Sequence, residues 1–196
     1  QAGKVFHQLK GENSAEYATI LFNFGSMYLS WEKYDKAEKL MTETLQLRRV
    51  LSNGQDDEEV AFSLNNLGLL YKRMGLYAKA EPFYLDALQI RKRLLGVRHP
   101  DYAVSLNNIA LLYNEMGEMA KEEAALLEAI DVVRNSRGEE NSTYATFLSN
   151  LGLHYDALGN YEKAGPLLQR AVEIHKKTSG TQSPDYIRSL NNLALY

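Results

Sequence analysis

The sequence predicts an all-α protein built as a row of helix hairpins. Three observations predict it. The phrase "SLNNLGLLY" at 63–71 returns as "SLNNIALLY" at 105–113, "LSNLGLHY" at 148–155 and "SLNNLALY" at 189–196, with a weaker copy, "LFNFGSMY", at 21–28. The second asparagine of the phrase falls at Asn23, Asn66, Asn108, Asn150 and Asn192, in steps of 43, 42, 42 and 42. A glycine column, Gly11, Gly54, Gly96, Gly138 and Gly180, keeps the same steps, each glycine 12 residues before its asparagine. Two columns in register mark a repeat.

Each repeat reads as two helices, A and B. In the second repeat Leu64, Leu67, Gly68 and Tyr71 form one helical stripe for helix A. A turn follows near Gly75. Ala80, Phe83, Ala87, Ile90 and Leu94 form the stripe of helix B, and Gly96 suits a left-handed cap at its end. In "HPDY" Pro100 suits the first helical position and Asp101 the positive end of the helix dipole. Ser14, Asp57, Asn141 and Ser183 stand as N-caps of the other A helices; His99 breaks that series and reads as a loop residue. Small residues recur where helices approach closely: Gly25, Gly68, Ala110, Gly152 and Ala194 in helix A, and Ala37, Ala80 and Ala164 in helix B. The repeats span 13–55, 56–97, 98–139 and 140–181. Residues 1–12 read as the end of a preceding repeat and 182–196 as the first helix of a further one. The expectation is one continuous array, cut from a longer protein.

Several positions depart from the pattern. Pro82 and Pro166 follow the helix B alanine and suggest a late helix start or a slight bend. Glu32 replaces the turn glycine of the first repeat. The 43-residue step places one extra residue near the end of the first helix B. Glu122 stands where helix B has alanine, and Met119 where it has tyrosine, so the third repeat is expected to pack differently around its turn.

Composition narrows the function. The chain is 45% hydrophobic and 24% charged, as folded proteins are. A net charge of -3 gives no reason to expect a nucleic-acid or anionic-membrane partner. No apolar run approaches the roughly 20 residues that span a bilayer. There is no cysteine, which excludes disulfides and thiolate chemistry and fits a cytoplasmic location. No phosphate loop or metal-binding motif occurs. His7, His99, His154 and His175 are scattered, and His154 takes a leucine position, so it reads as a packed residue. Arg91, Lys92 and Arg93 end a helix B, where cations favour the dipole. No enzyme, cofactor or metal site is expected.

The stretches "HPDYAVSLNNIALLY" and "YAKAEPFYLDALQIRKRLLG" resemble the tetratricopeptide repeat in its 42-residue form, as in kinesin light chain, in place of the usual 34. Nephrocystin-3-like proteins and bacterial arrays that precede CHAT-type proteases use similar units. The resemblance implies a right-handed α-solenoid whose A helices line a concave groove. It implies a non-catalytic scaffold that binds an extended segment of a partner protein, as a cargo adaptor does. A regulatory array of a larger effector and a self-association module are the alternatives.

The A helices supply the site residues. Measured from Leu64 at about 100° per residue, Asn65 lies at about 100° and Asn66 at about 200°, away from the packing stripe. In an array of this kind that side faces the groove. The same positions elsewhere are Asn23, Asn107, Asn108, Asn150, Asn191 and Asn192. Phe62, Leu69, Val104, Leu111 and Leu153 would offer shallow apolar pockets, and Arg73 and Arg188 belong to the rim. A carboxamide pairs with peptide backbone in both directions. Helices about 8–10 Å apart and a peptide rising about 3.3 Å per residue would match one amide to about every third peptide residue. A second reading stands beside it: the amides bond to neighbouring helices as a structural ladder. Tyr28, Tyr71, Tyr113 and Tyr155 read as core.

Overall fold

The computed structural model describes residues 14–196; the expectations for residues 1–13, the Gly11 cap among them, lie outside the described residues. The described residues form nine α-helices: α1 (Ala15–Ser30), α2 (Tyr34–Leu51), α3 (Glu58–Arg73), α4 (Tyr77–Leu95), α5 (Pro100–Met116), α6 (Met119–Arg137), α7 (Ser142–Ala157), α8 (Tyr161–Ser179) and α9 (Pro184–Leu195). No strand occurs among them. The odd-numbered helices are the expected A helices and the even-numbered ones the B helices. The chain divides into two compact units, one ending at Leu94 and one beginning at Leu95.

Within the first unit α2 packs on α1 and α3, and within the second each of α5 to α9 packs on its neighbours in sequence. Turns of two or three residues join A to B, which makes the paired helices antiparallel. The apolar stripes meet inside each unit: Leu64, Leu67 and Leu70 in one, Leu126, Leu168 and Ile174 in the other, all nearly or fully buried. The small residues of helix A allow this approach. A Cβ on Gly68 would stand 2.9 Å from the Tyr84 ring, and one on Gly152 would stand 2.8 Å from Leu168.

Helix ends follow the sequence with three differences. The side chains of Ser14, Asp57, Asn141 and Ser183 cap their helices as expected. His99 does the same: its Nδ1 accepts the Asp101 N–H at 3.2 Å, so it is a cap and not a plain loop residue. An unprotonated ring nitrogen offers the same lone pair as a serine oxygen. Gly138 and Gly180 have positive φ, but with ψ of -177° and 163° they are extended and not left-handed helical, a region essentially reserved for glycine. Pro82 and Pro166 lie inside helices that begin five residues earlier, at Tyr77 and Tyr161. The late start is therefore wrong; each proline is the sixth residue of its helix, and its missing N–H leaves one carbonyl of the first turn, Ala78 or Glu162, without its intrahelical donor.

The extra residue of the 43-residue step appears after α2, where Asn53 and Gly54 both take positive φ. The third repeat packs differently around its turn, as expected: α5 runs to Met116, leaving a two-residue turn, and Glu122 bonds back across it to Asn114. Gly117 is left-handed and α6 starts at Met119, in step with Tyr77 and Tyr161.

Candidate functional site

The amide columns behave differently in the two units. In the second unit they form a ladder. Asn150 on α7 donates through Nδ2 to Asn107 Oδ1 on α5 at 2.8 Å. Asn192 on α9 donates through Nδ2 to Ser149 Oγ on α7 at 3.0 Å. Each rung joins the second residue of one "NN" pair to the first residue of the pair before it. Ser149, which breaks the asparagine series, still supplies an acceptor. In the first unit the residue in that place is Phe22, which has none. Asn66 therefore turns back onto its own helix, donating to the Phe62 carbonyl at 2.8 Å.

A rung uses one N–H of the donor amide and one lone pair of the acceptor. Each carboxamide has two N–H groups and an oxygen with two lone pairs. The ladder and a ligand therefore do not compete for the whole group. Asn107 is buried, and Asn65, Asn66, Asn108, Asn150 and Asn192 are half-buried; Asn23 and Asn191 are exposed.

The apolar positions beside the amides are open. Phe62 is 38% exposed, and Val104 and Leu153 are each 36% exposed, although the opposite stripes of the same helices are buried. Leu69 and Leu111 are half-buried. In the first unit Phe62 and Phe22 meet at 4.9 Å between ring centroids. The Arg48 guanidinium of α2 lies 5.6 Å from one ring and 5.7 Å from the other. Arg48 also bonds to Ser63 Oγ and pairs with Glu59. Of the rim cations, Arg73 is exposed and Arg188 pairs with Asp185 on its own helix.

Sequence reasoning missed the buried polar groups under this surface. Arg48 and its counterpart Arg91 are buried, and Arg91 pairs with Glu58 at 2.8 Å. Their role is a bond across helices, beyond the helix-dipole reading. The signal was present: Arg91 is four residues after Ala87, on the packing stripe. Burial lowers the Arg48 pKa, against the pull of Glu59 and Asp57. The tyrosine columns are core at the ring and polar at the tip. Tyr71 donates to Glu38 at 2.7 Å, and Lys79 lies 4.0 Å above its ring. The Tyr71 and Lys79 bonds hold Glu38 below the usual carboxylate range. Tyr155 donates to Glu123, with Lys163 above its ring. Burial, and then the Glu123 carboxylate, push the Tyr155 phenol up to about 12; burial and Glu128 do the same to Tyr102.

Glu122 is buried and bonded to Asn114 and to His154, which is buried as well. No group of three or more His, Asp or Glu side chains that could hold a metal ion occurs among the described residues. No helix among them is long and apolar enough to cross a membrane.

A sequence profile of the tetratricopeptide repeat matches residues 59–135 and 143–196, and a second profile of that repeat matches 18–50. No curated protein matches the sequence significantly. Among solved structures, BtubC (BKLC) from P. vanneervenii has a TM-score of 0.74 at 24% identity, over 85% of this chain and 66% of that one. This chain thus spans just under two thirds of BtubC. A Podosopora anserina protein, described as a kinesin light chain with nearly identical TPR-like repeats, has a TM-score of 0.75 at 19% identity, over 90% of this chain and 83% of that one. MamA has a TM-score of 0.59 at 22% identity, over 90% and 86%. At these identities the likeness is one of fold.

Proposed function

Because the chain belongs to the tetratricopeptide repeat family, we propose that it is a non-catalytic scaffold that holds an extended segment of a partner protein along its A helices. Asn66, Asn108 and Asn150 would bond to the segment's backbone. Phe62 and Leu69 in one unit, and Val104, Leu111 and Leu153 in the other, would receive its side chains. The supporting observation is the exposure of Phe62, Val104 and Leu153 beside amides that keep hydrogen-bonding capacity. Apolar side chains held open next to polar groups suit a ligand that is itself a peptide. The reading places the chain in the cytoplasm and in the company of cargo adaptors such as kinesin light chain.

Capture from a lysate by wild type and by Val104→Glu/Leu153→Glu, quantified by mass spectrometry, tests this reading. The captured protein is then mapped on overlapping peptides. A peptide that binds wild type at least tenfold more tightly than the variant, with both melting alike, supports it. Equal binding to both sinks it.

A further inference from the structure

Three departures from the repeat pattern meet at one place in the second unit. Glu122 on α6 takes a position held by Ala37, Ala80 and Ala164. His154 on α7 takes one held by Leu70 and Leu112, and Asn114 on α5 one held by Lys72 and Asp156. The His154 Nδ1–H donates to Glu122 Oε2 at 2.9 Å, and Asn114 Nδ2 donates to both carboxylate oxygens at 3.1 Å. Glu122 and His154 are 3% and 1% exposed. The remaining ring nitrogen, Nε2, has no hydrogen-bond partner and lies 4.0 Å from Glu123 Oε2.

Stability alone does not account for such a pair. Burying a carboxylate beside an imidazole costs hydration that their attraction roughly repays, and a well-packed apolar pair does as well or better. Ala37 and Leu70, the corresponding residues in the first unit, are both fully buried without any polar group. What the polar pair adds is discrimination. The A helices here are so alike that a B helix could dock on the A helix of another repeat or of another chain, a failure common in repeat proteins. Glu122 set against a leucine would lose its imidazole partner and be left buried with Asn114 alone. His154 set against an alanine would lose its acceptor. Each mismatch is penalised from its own side.

We infer that Glu122, His154 and Asn114 form a pairing key that admits only α6 between α5 and α7. The key specifies the order of the repeats and disfavours docking of a B helix on the A helix of a different repeat, within one chain or between chains.

The test uses the 196-residue chain, with Glu122→Ala, His154→Leu and the double variant. The single variants strand one polar group and should melt about 10 °C below wild type. The double variant recreates an alanine–leucine pair and should melt within about 3 °C of wild type, or above it. After unfolding in denaturant and refolding at high concentration, the double variant should give several-fold more oligomer joined out of register than wild type, by light scattering after gel filtration. Each sample is read against the same protein never unfolded. Refolding as clean as wild type overturns the inference. So does a double variant that melts as low as the single ones or does not fold, because the pair would then supply stability and not discrimination.

Discussion

Asn150 Nδ2 and Asn107 Oδ1 are 2.8 Å apart, although the residues are 43 positions apart in the chain. The bond ties α7 to α5 directly, A helix to A helix, on the side away from the apolar stripe. Removing it with Asn150→Ala should cost about 1 kcal/mol, about 2–4 °C in a thermal melt. Asn66→Ala, which loses only a bond within its own helix, should cost a few tenths of a kcal/mol, on the order of a surface change. Equal melts for the two variants would remove the ladder's structural role.

Glu32 has a φ of 56°, where Gly75, Gly117 and Gly159 stand in the other turns with φ of 70–73°. A left-handed residue with a Cβ is strained by about 1–2 kcal/mol, while glycine loosens the unfolded chain by about 0.5–1 kcal/mol. Glu32→Gly should therefore stabilise the chain by about 0.5–1 kcal/mol. Gly75→Ala should act in the opposite direction. Urea unfolding of the two variants checks both signs.

Gly68 and Gly152 occupy the same column but face different residues. Gly68 meets the buried Tyr84 ring, and Gly152 meets Leu168. A rigid ring cannot move aside as a leucine can, and Ala110 occupies this column in α5. Gly68→Ala should cost about 2 kcal/mol from overpacking. In Gly152→Ala the gain in helix propensity, about 1 kcal/mol, should offset most of the strain. Paired melts that fall equally would contradict this difference.

Tyr102 and Tyr155 are pushed up to about 12, chiefly by burial and then by their carboxylate partners. A phenol whose folded pKa lies above the unfolded value of about 10 stabilises the fold fully below pH 10. That contribution is lost as pH rises through about 12. Absorbance at 295 nm should show a late-ionising group of tyrosines in the folded chain, and Tyr155→Phe should remove one of them. A single transition near 10 would contradict it.

Much of the fold was legible because helix hairpins leave local marks. The asparagine and glycine columns, the stripes of Leu64 and Ala80 and the caps at Ser14 and Asp57 each depend on residues within a few turns of one another. Pro82 misled because a proline that closely follows a helix start resembles one that precedes it. His99 misled because its capping nitrogen depends on protonation and ring orientation. The buried polar contacts were hidden for a different reason. Glu122, His154 and Asn114 each look like an isolated lapse from the pattern, and only their meeting across three helices gives them a common cause. The amide columns were legible as columns. That Ser149 could serve as a rung and Phe22 could not needed the offset by which each rung steps back one repeat.

The ladder also has a mechanical side. Its rungs reach 43 positions along the chain, about one repeat, as does the bond from Ser142 to Asp185. Links of this reach hold each hairpin of the second unit to the next, so load on that unit is carried in series from one hairpin to its neighbour.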